Sequence, residues 1–429
     1  MSLSSDRLGL LWGLTVFAGS MAQLLAQLSG LPTVVLLLAS GLLIGRAGFD
    51  LVDPELLGSG LEPIVGLLVS LVLFDGGLNL RLAGREPRQT LLRIVLVRGL
   101  LGLVGSAALA HDLAGLDWPV ALVFGAIVLA TGPTVITPMV QQMRLKASLA
   151  QVLEAEGLVL EPFSAVLAAL LLELALGELD SWGDLAGALV LRIGGGALAG
   201  ALAGFLLAAV LQRLPVTGER SGMVRLQVTL GVLFLLFSGA EALLPEAGLP
   251  AAVTAGVVVG WRLDTEADQL DVLIRQMAQL AITMLFPLLA ADVSWGELSP
   301  LGWGGVGCVL GLMLLRLLLV QVAGVGLPLG GREKLLLSWI APRGIVTAAV
   351  ASLFAIRLEE AGVPGASLLK GLVFLTILLT VGLQGFTAPA LARRLELVDP
   401  EPEATAGGSA NGASEAAPEP GEVLATGVE

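Results

Sequence analysis

Three glutamates, Glu154, Glu156 and Glu161, fall inside one long apolar run spanning roughly 147–176, and Pro162 follows the last of them directly. An ionised side chain at the centre of a bilayer costs at least ~3 kcal/mol, so carboxylates placed there are candidates for holding ions or protons. At a rise of ~1.5 Å per residue, Glu161 and Thr131 each lie about 21 Å along their apolar runs, Asp75 about 20 Å and Arg343 about 14 Å. All four fall in the middle third of the hydrocarbon. Five residues separate Glu156 from Glu161, which turns them about 140° apart on a helix and keeps them out of one ligand shell. The geometry predicts a division of labour. Arg343, permanently charged and able to grip a carboxylate through its fork, is the natural partner of Glu156. Glu161 is left without a cation partner. A carboxylate so placed holds either a proton or a small cation, and competition between the two would couple one ion movement to the other. Glu154, nearer the end of the run, reads as a solvated or funnel-lining acid, and Asp75 as an accessory one. Arg98, Arg192 and Arg316 read as helix-pairing or snorkelling charges. Asp292 and Glu241 lie near the ends of their runs, where snorkelling suffices.

The elements that must position these groups are membrane helices. The chain has 429 residues, 56% hydrophobic and only 14% charged, with mean hydropathy +0.91. Apolar runs of 18 or more residues, each able to cross ~30 Å of hydrocarbon, recur along its length. The pattern predicts thirteen spans, at about 8–28, 31–48, 62–80, 91–110, 117–140, 147–176, 185–212, 223–244, 248–262, 272–292, 301–327, 334–358 and 367–391. The first run reads as a retained span, since no charged leader and no small-residue cleavage site flank it. Single Cys308 and His111 exclude internal disulfides and a multi-histidine metal site. No nucleotide loop, haem motif or basic nucleic-acid patch is present, so no cofactor and no nucleic-acid partner is expected.

Basic residues fall in alternate loops: Arg81, Arg85, Arg88 and Arg93, then Arg144 and Lys146, then Arg213, Arg220 and Arg225. The series continues with Arg262 and Arg275, Arg332 and Lys334, and Arg393 and Arg394, whereas the opposite loops hold Arg7, Arg46, Arg357 and Lys370. The positive-inside rule then puts the N-terminus outside and the C-terminus in the cytoplasm. Residues 398–429, rich in Gly, Ala, Pro and Glu and without a basic residue, read as a disordered acidic cytoplasmic tail behind a membrane domain of 1–397.

The membrane domain repeats itself. GLPTVVLLLASGLLIGR (30–46) echoes GLPAAVTAGVVVGWR (248–262), SLVLFDGG (70–77) echoes AITMLFPLL (281–289), and ATGPT (130–134) echoes APRGI (341–345). Each pair lies seven expected spans apart, an odd number, so the second copy traverses the membrane in the opposite sense. An inverted repeat follows, over about 8–176 and 223–391, joined by a linker helix at about 185–212. The fifth and twelfth spans are also broken by Gly and Pro in mid-membrane. Proline removes a helix donor, and freed backbone is tolerated in lipid only where it is buried or lines a site. Matching interruptions in two inverted halves point to an ion site between them.

Four motifs, LFDGGLNL (73–80), ATGPTVI (130–136), EGLVLEP (156–162) and APRGIVTAAVA (341–351), resemble in order and spacing the monovalent cation:proton antiporter family, in its thirteen-span prokaryotic sodium/proton branch. The resemblance covers the chain from the first span to the last. It implies two inverted six-helix repeats with crossed discontinuous helices and a secondary active exchanger, not an enzyme. Glu156 and Arg343 would be a structural ion pair. Glu161 would bind the transported cation or the proton, with Thr131, Gly132, Pro133 and Thr134 completing the ligand shell. It further implies a homodimer in the cell membrane that moves its core against a dimerisation domain. This chain departs from the family pattern in having Gly132 where an Asp is common, Leu160 before Glu161, and Asp75 where a Glu is frequent. One titratable carboxylate then remains to trade charge, and electroneutral exchange follows. Sodium is the expected cation. Potassium exchange, or another solute carried by the same fold, remains open, and a passive channel fits less well because the polar groups concentrate at one depth. An intramembrane protease would need facing acids that the sequence lacks.

Overall fold

The computed structural model describes residues 2–80, 85–214, 219–263 and 268–399. The expectation of a disordered tail therefore lies, but for its first two residues, outside the described residues. The described chain is helical throughout, with no strand. In order, the helices are α1 (Ser2–Ser29), α2 (Thr33–Ile44), α3 (Leu61–Leu78), α4 (Arg85–Val97), α5 (Leu103–Ala114), α6 (Trp118–Ile127), α7 (Pro133–Met143), α8 (Ala147–Ala175) and α9 (Trp182–Leu211). They continue with α10 (Glu219–Leu243), α11 (Gly248–Arg262), α12 (Asp268–Ala291), α13 (Trp295–Leu298), α14 (Gly302–Ala323), α15 (Gly331–Trp339), α16 (Ile345–Glu360) and α17 (Ala366–Arg394). Among the described residues nine helices are long and apolar enough to cross a membrane, and Thr33–Ile44 and Trp118–Ile127 are shorter apolar helices.

Side chains sort by environment as a bilayer requires. Leu28, Val190, Leu202, Leu235, Leu314 and Leu318 are exposed on the outer faces of their helices. In water such a surface would be an aggregation site; in lipid it is the matching solvent. The interior is held by close packing, with Gly196, Gly200 and Gly204 of α9 letting the backbone approach Ala247, Ala251 and Ala255, as small residues do between membrane helices.

Two expected spans are broken where the sequence places Gly and Pro. α6 stops at Ile127 and α7 restarts at Pro133, whose fixed φ suits the first turn of a helix. α15 stops at Trp339, Ile340 is extended, and α16 restarts at Ile345. Pro342 disfavours the helical conformation for the residue before it, which favours the break here. α4 and α5 instead form one continuous rod through a π turn over Arg98–Gly102. Such bulges gather at functional sites. α8 passes the first break unbroken despite Pro162.

Candidate functional site

The two breaks meet. The Gly132 amide donates to the Pro342 carbonyl at 3.2 Å, tying the first interruption to the second. A β-carbon built on Gly344 would stand 2.7 Å from the Gly132 Cα, 2.9 Å from Thr134 Oγ1 and 3.4 Å from Glu161 Oε1. Only glycine permits that crossing. α8 lies against it through Gly157, where a β-carbon would come within 2.7 Å of the Thr131 carbonyl.

Broken helices leave orphan carbonyls at one end and orphan amides at the other. Side chains take up several of the carbonyls. Ser164 Oγ donates to the carbonyls of Ala126 and Ile127 at 2.6 and 3.2 Å, Arg98 to Leu129 at 2.8 Å, and Arg343 to Ala130 at 3.0 Å. At the second break Arg316 donates to the carbonyls of Leu337 and Ile340, at 2.9 and 2.7 Å. Gln384 accepts from the Ala341 amide at 2.8 Å, and Thr380 from the Arg343 amide. The amide ends are different. Gly132 and Gly344 are the N-caps of α7 and α16, and neither has a side chain to cap its helix start. Helix N-termini carry partial positive charge, so an anionic group is favoured between them.

Glu161 is that group. Its side chain is fully buried, and neither carboxylate oxygen has a hydrogen-bond partner. The hydroxyls of Thr131 and Thr134 are equally buried and equally unpartnered. The crossing therefore brings together Thr131, Gly132, Pro133, Thr134 and Glu161, the set singled out from the sequence. Buried polar oxygens left unpaired are rare, and each calls for a missing partner. Oxygen donors from a carboxylate and hydroxyls are ligands that a hard cation takes. A protonated carboxyl would meet the same need.

Glu156 points elsewhere. The expected pair with Arg343 is corrected: Glu156 is held by Arg316, at 2.8 and 3.1 Å to its two oxygens, and by Arg98, which donates to the first of them. Arg343 is spent on the Ala130 carbonyl instead, because its break carries it to the C-terminal end of α6. Arg98 and Arg316 are thus neither snorkelling nor simple helix-pairing charges. Each caps one broken helix and binds Glu156. A signal for them did exist, since they sit in the fourth and eleventh expected spans, separated by the same seven-span offset as the other repeated motifs. Arg192 pairs through one nitrogen with both oxygens of Glu173, at 2.9 Å each.

Asp75 does not reach the crossing. It lines a cavity of about 250 Å³ with Asn79, Gln141, Gln151, Glu154 and Arg275, whose floor includes Pro133 and Leu158. Asn79 donates to Asp75 at 3.1 Å and accepts from Arg275 at 3.0 Å. Glu154 is the funnel-lining acid expected of it. The cavity is lined by the end of α3 and by the early parts of α8 and α12. At the opposite ends of the helices lies a network of ion pairs. Asp292, just past α12, takes Lys370 of α17 at 3.0 Å and Ser352 of α16 at 2.9 Å, and Lys370 also reaches Glu297 at 2.9 Å. Arg46, past α2, binds Asp53 and Glu55 at 2.8 and 2.7 Å. Asp292 is therefore networked and buried rather than snorkelling. Glu241 accepts the backbone amides of Glu246 and Gly248.

The chain is similar to known membrane proteins over most of its length. Residues 13–394 match the family model described as sodium/hydrogen exchanger, transmembrane. The chain is 28% identical over 416 residues to Na(+)/H(+) antiporter 1 of Methanocaldococcus jannaschii, covering 89% of this chain and 94% of the relative. It is 23% identical over 399 residues to the Na(+)/H(+) antiporter ApNhaP of Aphanothece halophytica, covering 88% and 72%. The solved structure of the sodium proton antiporter MjNhaP1 at pH 8 superposes with a TM-score of 0.78 at 26% identity, over 92% of this chain and 99% of the other.

Proposed function

The chain belongs to the sodium/hydrogen exchanger family, and we propose that it exchanges one sodium ion for one proton at Glu161 by alternating access. It is a transporter, exchanging Na⁺ for H⁺ across a membrane. The observation that carries the assignment to Glu161 is a buried carboxylate with no partner at the crossing, beside two unpartnered hydroxyls. A proton on Glu161 removes the charge that holds the cation. A cation held by Glu161, with the hydroxyls of Thr131 and Thr134 beside it, displaces the proton. The site is then occupied by one or the other, and its two loaded forms are both electrically neutral.

Access from one side at a time requires an opening that stops short of the site and a seal beyond it. The cavity beside Asp75 and Glu154 ends at Pro133 and Leu158, next to the crossing. The ion network around Asp292, Lys370 and Arg46 closes the other end. The cavity lies toward the helix ends that the positive-inside rule assigns to the cytoplasm, in a cell whose inner membrane would hold the protein. Movement of the segment bearing the crossing against the remaining helices would break that network and expose Glu161 to the far side. A homodimer would anchor the static part. Membrane protein 1–397 in this reading comprises two inverted repeats joined by α9.

The test is dequenching of a pH-sensitive dye in everted membrane vesicles on adding sodium, lithium or potassium in turn. Sodium-dependent dequenching in the wild type, absent with Glu161→Gln, supports the assignment. A Gln variant that dequenches normally overturns it.

A further inference from the structure

Threonines inside helices normally dispose of their own hydroxyl. In this protein Thr15, Thr229, Thr254, Thr283, Thr376 and Thr380 each donate to the carbonyl four residues back, at 2.6–2.8 Å. That back-bond is the default for a hydroxyl in an apolar helix. Among the described residues three buried threonines have a hydroxyl without a partner: Thr131, Thr134 and Thr347. The first two sit at the first break. Thr347 is 3% exposed and belongs to α16.

The reason Thr347 cannot follow the default lies in the break. Four residues back is Arg343, in the unwound stretch 340–344, so no helical carbonyl lies beneath the hydroxyl. Thr347 is the third residue of α16, whose N-cap is Gly344. In a capped helix the N-cap side chain reaches the amide of this third residue. Here that side chain is missing, and its place is bordered by Glu161 Oε1, 3.4 Å from where a β-carbon would stand, and by Thr134 Oγ1 at 2.9 Å. Thr347 thus lies in the first turn of the helix whose cap position the unpartnered carboxylate borders.

We propose that Thr347 is a further ligand of the transported cation, contributed by the second broken helix, so that the shell is closed only when both repeats supply a hydroxyl. This rests on Glu161 as the exchange site. Thr131 and Thr134 come from α7 and its break, Glu161 from α8, and Thr347 from α16. A monovalent cation stripped of water needs several oxygens, and one carboxylate with two hydroxyls from a single break leaves one side of it bare. A hydroxyl from α16 fills that side. It also makes cation binding sensitive to how the two broken helices sit against each other, which ties occupancy to the geometry of the crossing.

The experiment compares Thr347→Val, which keeps the shape and removes the oxygen, with Thr347→Ser, which keeps the oxygen. Two readouts are used: sodium-dependent exchange in vesicles, and the sodium concentration that half-maximally protects the purified protein from thermal unfolding. Loss of one ligand of hydrogen-bond strength corresponds to roughly a tenfold weaker affinity. Thr347→Val should raise the half-saturating sodium about tenfold in both readouts, with the maximal rate within about twofold of wild type, and Thr347→Ser should restore it. If Val does not insert, Thr347→Ala is read the same way. Wild-type half-saturation in the hydroxyl-free variant overturns the role of Thr347. Glu161→Gln separates the two layers: if it abolishes sodium protection while Thr347→Val behaves as wild type, only Thr347 is withdrawn. If Glu161→Gln retains sodium protection, the exchange site itself is misplaced.

Discussion

Arg316 grips Glu156 through both carboxylate oxygens, at 2.8 and 3.1 Å, while the same guanidinium caps the Leu337 and Ile340 carbonyls. One side chain therefore neutralises a buried acid and finishes a broken helix. Arg98 does the same for the first break, through Glu156 and the Leu129 carbonyl. The two interruptions are thereby tied to one carboxylate of α8, one and a half turns from the unpartnered Glu161.

Removing Glu156 leaves two buried guanidinium groups without their counter-ion, at a cost of about 3–5 kcal/mol, and removing Arg316 leaves Glu156 to Arg98 alone and frees two buried carbonyls. Glu156→Ala and Arg316→Ala should each lower thermal stability sharply, and the double variant should lose much less than their sum. Arg343→Ala with Glu156→Ala should be closer to additive, since Arg343 bonds a backbone carbonyl and not Glu156. A large coupling between Glu156 and Arg343, with little between Glu156 and Arg316, would contradict the observed pairing.

Glu161→Gln is nearly isosteric and keeps the packing of α8, so the variant should insert and fold at wild-type yield. Exchange should fall to background in the dye assay. Glu154→Gln, by contrast, alters only the cavity wall and should shift the apparent sodium affinity less than tenfold.

The crossing leaves no room for a methyl group. Gly344→Ala would push a β-carbon to 2.7 Å from the Gly132 Cα, which is backbone and cannot swing aside. Overpacking of this kind costs about 1–3 kcal/mol or more. The variant should lose activity and melt earlier, whereas Gly382→Ala, with open space around it, should be neutral. Equal behaviour of the two would mean the breaks do not touch.

With Glu156 held by two arginines, one titratable carboxylate remains at the crossing, so exchange should be electroneutral. Clamping the vesicle potential with potassium and valinomycin should leave sodium or lithium exchange unchanged. A rate that follows voltage would bring in a second carrier, and Asp75, in the cavity, would be the residue to neutralise next.

Stability should fall with rising pH through a group remote from transport. Glu246, in the turn between α10 and α11, has its pKa pushed up to about 8, chiefly by burial and then by Glu241 and Glu62. The native state keeps this proton while the unfolded chain has lost it, so the slope of stability with pH is negative between the ordinary carboxyl range and about 8, and flat above. Glu246→Gln should therefore raise the melting temperature more at pH ~9 than at pH ~5.

Composition and hydropathy alone determined that this is a helical membrane protein, because the energetics of lipid leave few alternatives for so apolar a chain. The breaks at 130–134 and 341–345 were also legible, since Gly and Pro act through local backbone sterics that need no tertiary context. The same holds for Glu161, conspicuous because an unpaired charge in hydrocarbon is costly wherever the helix sits. What tertiary structure decided was partnership. Depth along a span is one coordinate, and Arg98, Arg316 and Arg343 all share the depth of Glu156. Which of them meets it depends on how α4, α14 and the second break pack around α8. Thr347 was invisible for a related reason: a threonine is an ordinary helix residue until the chain four residues behind it is known to be unwound. Local chemistry is written in the order of residues, whereas the choice among equally suitable partners is made by the packing of helices far apart in the chain.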